Sequence, residues 1–242
     1  MRISGRMPTE LRKISVELNP LRHAEGSAVI RWGDTWVMCA ATVEERVPAW
    51  LGDKGQGWVT AEYALLPRST STRVSRTQGS RGAEIQRLVG RALRGIVDLP
   101  KLGRRTITVD CDVLQADGGT RVASITGGYC ALAMALHYLW QEGKLPEKPL
   151  RDLVAGISLG IVDGMVMVDL EAAEDTRAEM DLNVVATGAG RLVEVQGTAE
   201  GKPLTRLEFD GLLDAGLTAA ADVIACQQQA LGAFLPDALL PR

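Results

Sequence analysis

A chain of 242 residues that is 46% hydrophobic and 24% charged has the composition of a folded protein with a sizeable core, as one large domain or two small ones. Ten aromatic residues (4%) disfavour a surface built mainly on base stacking, and a formal net charge of −3 excludes a uniformly basic binder. That average hides an asymmetry: ten Lys/Arg against two acids between Arg68 and Arg105, and eleven acids against four bases between Asp163 and Asp210. Segregation of this kind predicts one surface for a polyanion and another that can hold a cation.

The first residues, Met1 to Pro8, carry no apolar stretch and do not read as a signal peptide. Short apolar runs at 14–18, 27–31, 36–43 and 58–64, set off by Gly, Pro and Asp, predict strands at hairpin-like intervals. Residues 66–81 are polar and Arg-rich, and predict an exposed loop. A helix is expected next. Ile85, Leu88, Val89, Ala92, Leu93, Ile96 and Val97 keep helical spacing, Arg87, Arg91 and Arg94 take the other face, and Leu99-Pro100 ends it. Over 106–113, Ile107, Val109, Cys111 and Val113 alternate with polar residues, the cleanest strand signal in the chain. A Gly118-Gly119 turn follows, then Thr120-Arg121, then a helix over 122–141 stopped by Gly143.

Residues 143–152 read as a linker, and the second part repeats the theme. Strands are expected at 153–162, 165–170, 178–186 and 192–197, followed by a long helix carrying Leu212, Leu217, Ala220, Val223, Ile224 and Leu231. Strands followed by helices, twice, with mainly antiparallel hairpins, predict an α+β fold of two halves, 1–142 and 153–242. No apolar run approaches the ~20 residues of a membrane span. The four cysteines are widely spaced, with no CxxC or Cys/His cluster, which points to reduced thiols in the cytoplasm and away from zinc.

Three groups of residues could carry chemistry. Arg68, Arg73, Arg76 and Arg81 lie in or beside the polar loop, and Arg forks match phosphate oxygens; a solvated charge face or pairing at a subunit contact is the alternative. Arg81 stands apart because it opens a helix, where its head can meet an anion held by that helix. The strand–turn–helix order around Gly118, Gly119, Thr120 and Arg121 gathers backbone N–H groups, a hydroxyl and a guanidinium at one point, as an anion nest does; a ligand-free Gly-Gly turn is the alternative. Among the acids Glu171, Glu174, Asp175, Glu179 and Asp181, strand alternation sends Asp181 away from the core, and Asp175 falls in the loop just before it. Two carboxylates converging beside a phosphate suit Mg²⁺, and a solvated acidic hairpin is the alternative. His23 and His137 form no nucleophilic system with any Ser or Cys, and neither GxxxxGK[ST] nor GxGxxG occurs.

The same residues carry a resemblance. Gly5-Arg6…Glu10-Leu11-Arg12, Gly57-Trp58-Val59-Thr60-Ala61-Glu62-Tyr63…Leu66-Pro67-Arg68, Glu84-Ile85-Gln86-Arg87-Leu88-Val89-Gly90-Arg91, Ala116-Asp117-Gly118-Gly119-Thr120-Arg121 and Glu194-Val195-Gln196-Gly197-Thr198-Ala199-Glu200 together resemble the ribonuclease PH family over essentially the whole chain. The resemblance implies the ribonuclease PH fold (ribosomal protein S5 domain 2-like) and a phosphate-dependent 3′→5′ exoribonuclease that trims tRNA precursors and releases nucleoside 5′-diphosphates. Carried over by residue, it implies phosphate binding by Arg81, Gly119, Thr120 and Arg121, and catalysis and Mg²⁺ binding by Asp175 and Asp181. Arg68, Arg73 and Arg76 fall at positions for subunit pairing and RNA contact in a hexameric ring, a trimer of dimers; neither DNA nor a membrane is an expected partner. The sequence departs from the family pattern in a 76–81 segment about five residues short, and in Ala172-Ala173 where a Tyr-Glu pair is common. A catalytically silent RNA-binding ring subunit and a two-metal hydrolytic nuclease are the rival readings.

Overall fold

The computed structural model describes all residues except 1, 3, 53, 77–78, 201 and 236–242. Among the described residues, nine strands form two sheets. The first contains β1 (Ile14–Leu18), β2 (Gly26–Trp32), β3 (Thr35–Glu44), β4 (Trp58–Leu65) and β5 (Thr106–Gln115), in the order β1-β2-β3-β5-β4. Its pairs are antiparallel except β4 with β5, which run parallel. A parallel pair needs a crossover, and α1 (Ser80–Gly95) supplies it, packing on β4. Leu99-Pro100 was expected to end that helix; α1 stops at Gly95, and Leu99–Leu102 forms a separate one-turn helix, α2, opened by the proline. Proline is tolerated in a first helical turn because its missing N–H has no partner there.

The second sheet contains β6 (Val154–Val162), β7 (Met165–Val168), β8 (Met180–Thr187) and β9 (Leu192–Ala199), antiparallel throughout in the order β7-β6-β8-β9. β7 ends two residues before its expected limit, because Asp169 adopts a left-handed backbone (φ 59°) that breaks the strand. Asp175, expected in a loop, closes the one-turn helix α4 (Ala172–Asp175). The long C-terminal helix α5 (Arg206–Gly232) packs on β6, β8 and β1.

Between the sheets runs α3 (Thr120–Gln141), touching β2, β3 and β6. It is long and apolar enough to cross a membrane, which the sequence reading did not register; 89% of its most apolar window is buried inside the protein. Small residues let strands approach it. A methyl on Gly26 would collide with the α3 backbone at Ala131 and Ala135, so glycine is required there. One continuous core, from Ile30 and Val109 through Ile125 and Leu132 to Leu159, Val184 and Val223, unites both sheets with α3 and α5. The expected linker is stitched down: Leu150 bridges Val97, Asp98 N–H donates to Pro149 O (2.7 Å), and Arg151 N–H to Ile96 O (2.8 Å).

Candidate active site

The turn between β5 and α3 is built for close approach. Gly118 (φ 74°) and Gly119 (φ 67°) both sit in the left-handed region, where a side chain would be strained. Thr35 clamps the turn, its hydroxyl donating to Gly118 O (2.6 Å) and accepting from Asp117 N–H (2.9 Å). A methyl on Gly118 would lie 2.5 Å from Leu170 O, so the turn rests directly on the segment that leads into α4. Thr120 and Arg121 open α3, two residues earlier than the hydrophobic pattern placed its start. Its N-cap, Gly119, has no side chain to cap it, which leaves the first N–H groups for an anion. The Thr120 hydroxyl hydrogen-bonds the Tyr63 hydroxyl (2.9 Å). Burial pushes the Tyr63 phenol up, which keeps it protonated, while Thr120, Arg81 and Arg121 pull against that shift.

Two adjoining cavities of about 500 and 520 Å³ open beside this turn. Arg81, Arg121, Asp175, Asp181 and Asn183 line both. Tyr63, Leu65, Val74 and Ile85 give the first an apolar wall; Glu84, Gln196, Thr198 and Glu200 make the second polar. Arg81 is the second residue of α1 and Arg121 the second of α3, so two helix N-termini converge on the opening. Arg121 Nη1 donates to Gln196 Oε1 (2.7 Å), and Gln196 Nε2 donates to Glu84 Oε1 (2.6 Å). Burial raises the Asp181 carboxyl above the usual carboxylate range, and the Asp175 charge raises it further; Arg121, Arg81 and an Asn183 hydrogen bond oppose the shift. Cations and carboxylates therefore line the same pair of cavities.

All six residues expected to bind phosphate or metal or to act in catalysis, Arg81, Gly119, Thr120, Arg121, Asp175 and Asp181, line the first cavity. Of the loop arginines, Arg76 also lines it, while Arg68 and Arg73 are exposed and Arg68 donates to Ser71 O (2.9 Å). The short 76–81 segment includes 77–78, which lie outside the described residues. Two of the helix arginines have partners within the chain: Arg91 makes a two-pronged pair with Glu194, and Arg94 stacks over Trp58 while donating to Val59 O. The acidic group divides. Glu171 and Glu174 pair with arginines of the N-terminal segment, Glu179 accepts from Gly164 N–H, and Asp175 and Asp181 face the cavity.

The sequence reading missed the buried network beneath the site. Arg2 grips Glu174 through Nε (2.8 Å) and Nη2 (2.7 Å), and Arg12 grips Asp169 through Nε (3.1 Å) and Nη2 (2.6 Å). Glu174 also accepts from Glu171 N–H (3.0 Å), closing a capping box on α4. Burial alone would raise the Glu174 carboxyl; Arg2, the Glu171 N–H and Arg6 more than offset it and hold it low. A run of three arginines spaced through an otherwise unpatterned N-terminus was the available signal.

Among the described residues, no three His, Cys, Asp or Glu side chains converge as a metal site. Asp175 and Asp181 nevertheless fit Mg²⁺, which takes one or two carboxylates and completes its shell with water and phosphate oxygens. After burial, the Asp175 charge is what raises the Asp181 carboxyl, and a divalent cation between them would relieve that repulsion.

The sequence pattern of the 3′ exoribonuclease family matches over both of its parts, domain 1 at residues 10–136 and domain 2 at residues 152–219. The chain belongs to this 3′ exoribonuclease family. Within the family, the Ribonuclease PH of Moorella thermoacetica is 53% identical over 237 residues, 96% of this chain and 95% of that protein. The Archaeoglobus fulgidus exosome with RNA bound at its active site superposes with a TM-score of 0.77 at 26% identity, over 93% of this chain and 91% of that one. Rice (Oryza sativa) Rrp46 gives a TM-score of 0.79 at 22% identity, over 95% of this chain and all of that one, a likeness of fold. The family assignment agrees with the α+β, ribonuclease PH-type architecture expected from sequence.

Proposed function

We propose that this enzyme is a phosphate-dependent 3′→5′ exoribonuclease that trims the 3′ ends of tRNA precursors and releases nucleoside 5′-diphosphates. The observation that carries this reading is the gathering of Arg81, Thr120 and Arg121 with Asp175 and Asp181 in the lining of one cavity. The Ribonuclease PH name of the Moorella relative and the RNA held in the Archaeoglobus structure support it.

Inorganic phosphate would lie between Arg81, Arg121, the Thr120 hydroxyl and the first N–H groups of α3, in line behind the last phosphodiester. Its oxygen forms a new bond to the terminal phosphorus as the bond to the preceding 3′ oxygen breaks. Asp181 would supply a proton to that oxygen, so the shortened RNA leaves with a free 3′ hydroxyl. Phosphate needs little activation as a nucleophile, so positioning and charge stabilisation carry most of the rate. Mg²⁺ held by Asp175 and Asp181 would supply charge neutralisation at the scissile phosphate.

The homo-oligomer we propose is a hexameric ring in which Arg68, Arg73 and Arg76 meet a neighbouring subunit or the RNA. The compartment we propose is the cytoplasm, where the free thiols Cys39, Cys111, Cys130 and Cys226 stay reduced. The deciding experiment incubates a 3′-tailed RNA with Mg²⁺, with and without inorganic phosphate. Nucleoside diphosphates appearing only with phosphate are expected, and Arg121→Ala should raise the KM for phosphate by about 10–100-fold, the loss of a charge-assisted bond. Monophosphates formed without phosphate would identify a hydrolase, and no product a silent subunit.

A further inference from the structure

Among the described residues between 2 and 12 none lines either cavity, yet one side chain of that segment reaches the phosphate turn. The Arg12 guanidinium, 5% exposed, spans two places at once. Nε and Nη2 grip the Asp169 carboxylate, and Nη1 donates to Asp117 O, the residue that begins the turn. A methyl built on Gly119 would lie 3.1 Å from Arg12 Nη2, so the guanidinium lies directly against the cradle. Asp169 is itself over-determined. It is wholly buried, accepts from Arg12 N–H (2.6 Å) and Trp32 Nε1 (3.0 Å), and holds a left-handed backbone that few non-glycine residues adopt.

From Asp169 the chain runs three residues to Ala172, whose N–H donates to Asp117 Oδ1 (3.2 Å), and three more to Asp175. The phosphate turn and the acidic turn thus come from different sheets and meet at the Asp117–Arg12–Asp169 junction. A buried ion pair is weak as a source of stability, because desolvation offsets most of its attraction. It is strong as a fixture of geometry, because a planar fork with all three nitrogens engaged holds both partners in one arrangement.

We infer that Arg12, seated on Asp169, is a positioning residue that fixes the Gly118–Arg121 phosphate turn against the Asp175 turn and so sets the affinity for inorganic phosphate. Arg2 differs in kind. It clamps Glu174 and the carbonyls of Val168 and Asp169 on the far side of α4 and makes no hydrogen bond to the phosphate turn. The inference rests on the phosphorolytic reading of the cavity.

The test uses the full chain and inorganic phosphate as the titrant, by calorimetry without RNA, alongside steady-state KM values for phosphate and for a 3′-tailed RNA. Arg12→Lys keeps a cation on Asp169 but has no fork to reach Asp117 O as well. It should fold, weaken phosphate binding by about 10–100-fold, raise the phosphate KM in parallel and leave the RNA KM within about twofold. Arg2→Lys should leave phosphate affinity within about twofold. Should Arg12→Lys fail to fold, Asp169→Asn, which keeps the acceptors for Trp32 and the Arg12 N–H, carries the same expectation. A folded variant that binds phosphate as the wild type does overturns the inference. Equal losses for phosphate and RNA, or an Arg2→Lys as weak for phosphate as Arg12→Lys, also overturn it, since they mark general loosening. Wild-type protein that binds no phosphate defeats the phosphorolytic reading instead.

Discussion

Asp181 illustrates how a single residue can serve a site at the expense of the fold. Its carboxyl is raised first by burial and then by Asp175, so the folded protein binds that proton more tightly than the unfolded chain does. A group shifted this way favours folding most below the unfolded carboxyl pKa, and stability is lost as pH rises through the native value. In metal-free protein, rising pH charges the buried Asp181 carboxyl beside Asp175. Asp181→Asn removes the repulsion and keeps the shape, so its melting temperature without divalent ions should exceed that of the wild type by a few degrees at pH 8. The gain should shrink as pH falls and the wild-type carboxyl takes up its proton. The same variant should lose about 10²–10⁴-fold in kcat, the usual contribution of a positioned acid. A melting point unchanged at pH 8 would dismiss the stored repulsion, and an unchanged kcat would dismiss Asp181 as the acid.

At the scale of elements, the decisive piece is the turn that joins β5 to α3, because it belongs to the first sheet and leans on the second. Gly118 tests this. Alanine there faces a positive φ and a methyl 2.5 Å from Leu170 O, with Ala172 N and Glu171 C also within 2.9 Å. These are backbone atoms, which have no rotamer to yield, so the 170–172 segment must move away from the cradle and carry Asp175 with it. Gly118→Ala should cost roughly 2–3 kcal/mol, by unfolding in urea, and should reduce kcat and weaken phosphate binding together, since the cradle and the Asp175 turn part. An intact kcat at that loss of stability would show that Asp175 does not depend on the turn. Elements of this kind divide what a sequence reveals. The alternation of Ile107, Val109, Cys111 and Val113 and the Gly118-Gly119-Thr120-Arg121 run announce strand, turn and cradle because each obeys a local rule. Asp169 obeys none. Its left-handed backbone and its partners Arg12 and Trp32 lie 157 and 137 residues away in sequence, so nothing local marks it. The arginines of α1 failed differently: helical spacing placed Arg87, Arg91 and Arg94 on one polar face, but Arg94 was drawn in over Trp58 by tertiary packing.

Across the whole molecule, the two sheets were legible as two halves of the chain, yet the core does not respect that division. Local periodicity locates each strand but says nothing of what α3 buries its several faces against, and α3 buries them against both sheets. Gln227 of α5 tightens the union: wholly buried, it donates from one nitrogen to Thr126 O of α3 and to Val154 O of β6, both at 3.0 Å. Separating the halves would expose the apolar flank of α3 and orphan these carbonyls, a penalty that neither sheet can recover alone. The protomer should therefore unfold as one cooperative unit, and the distribution of tryptophan makes this measurable. All five, Trp32, Trp36, Trp50, Trp58 and Trp140, lie within the first 142 residues, so their fluorescence reports the first sheet and α3. Far-UV circular dichroism reports both halves. In urea the two transitions should share one midpoint and one slope, the signature of two-state behaviour. Both probes read at one protein concentration feel any ring assembly equally, so subunit association shifts the midpoints together and cannot separate them. A fluorescence transition displaced from the dichroism transition would mean that the second sheet and α5 hold together without the first, and that the shared core around α3 does not govern stability.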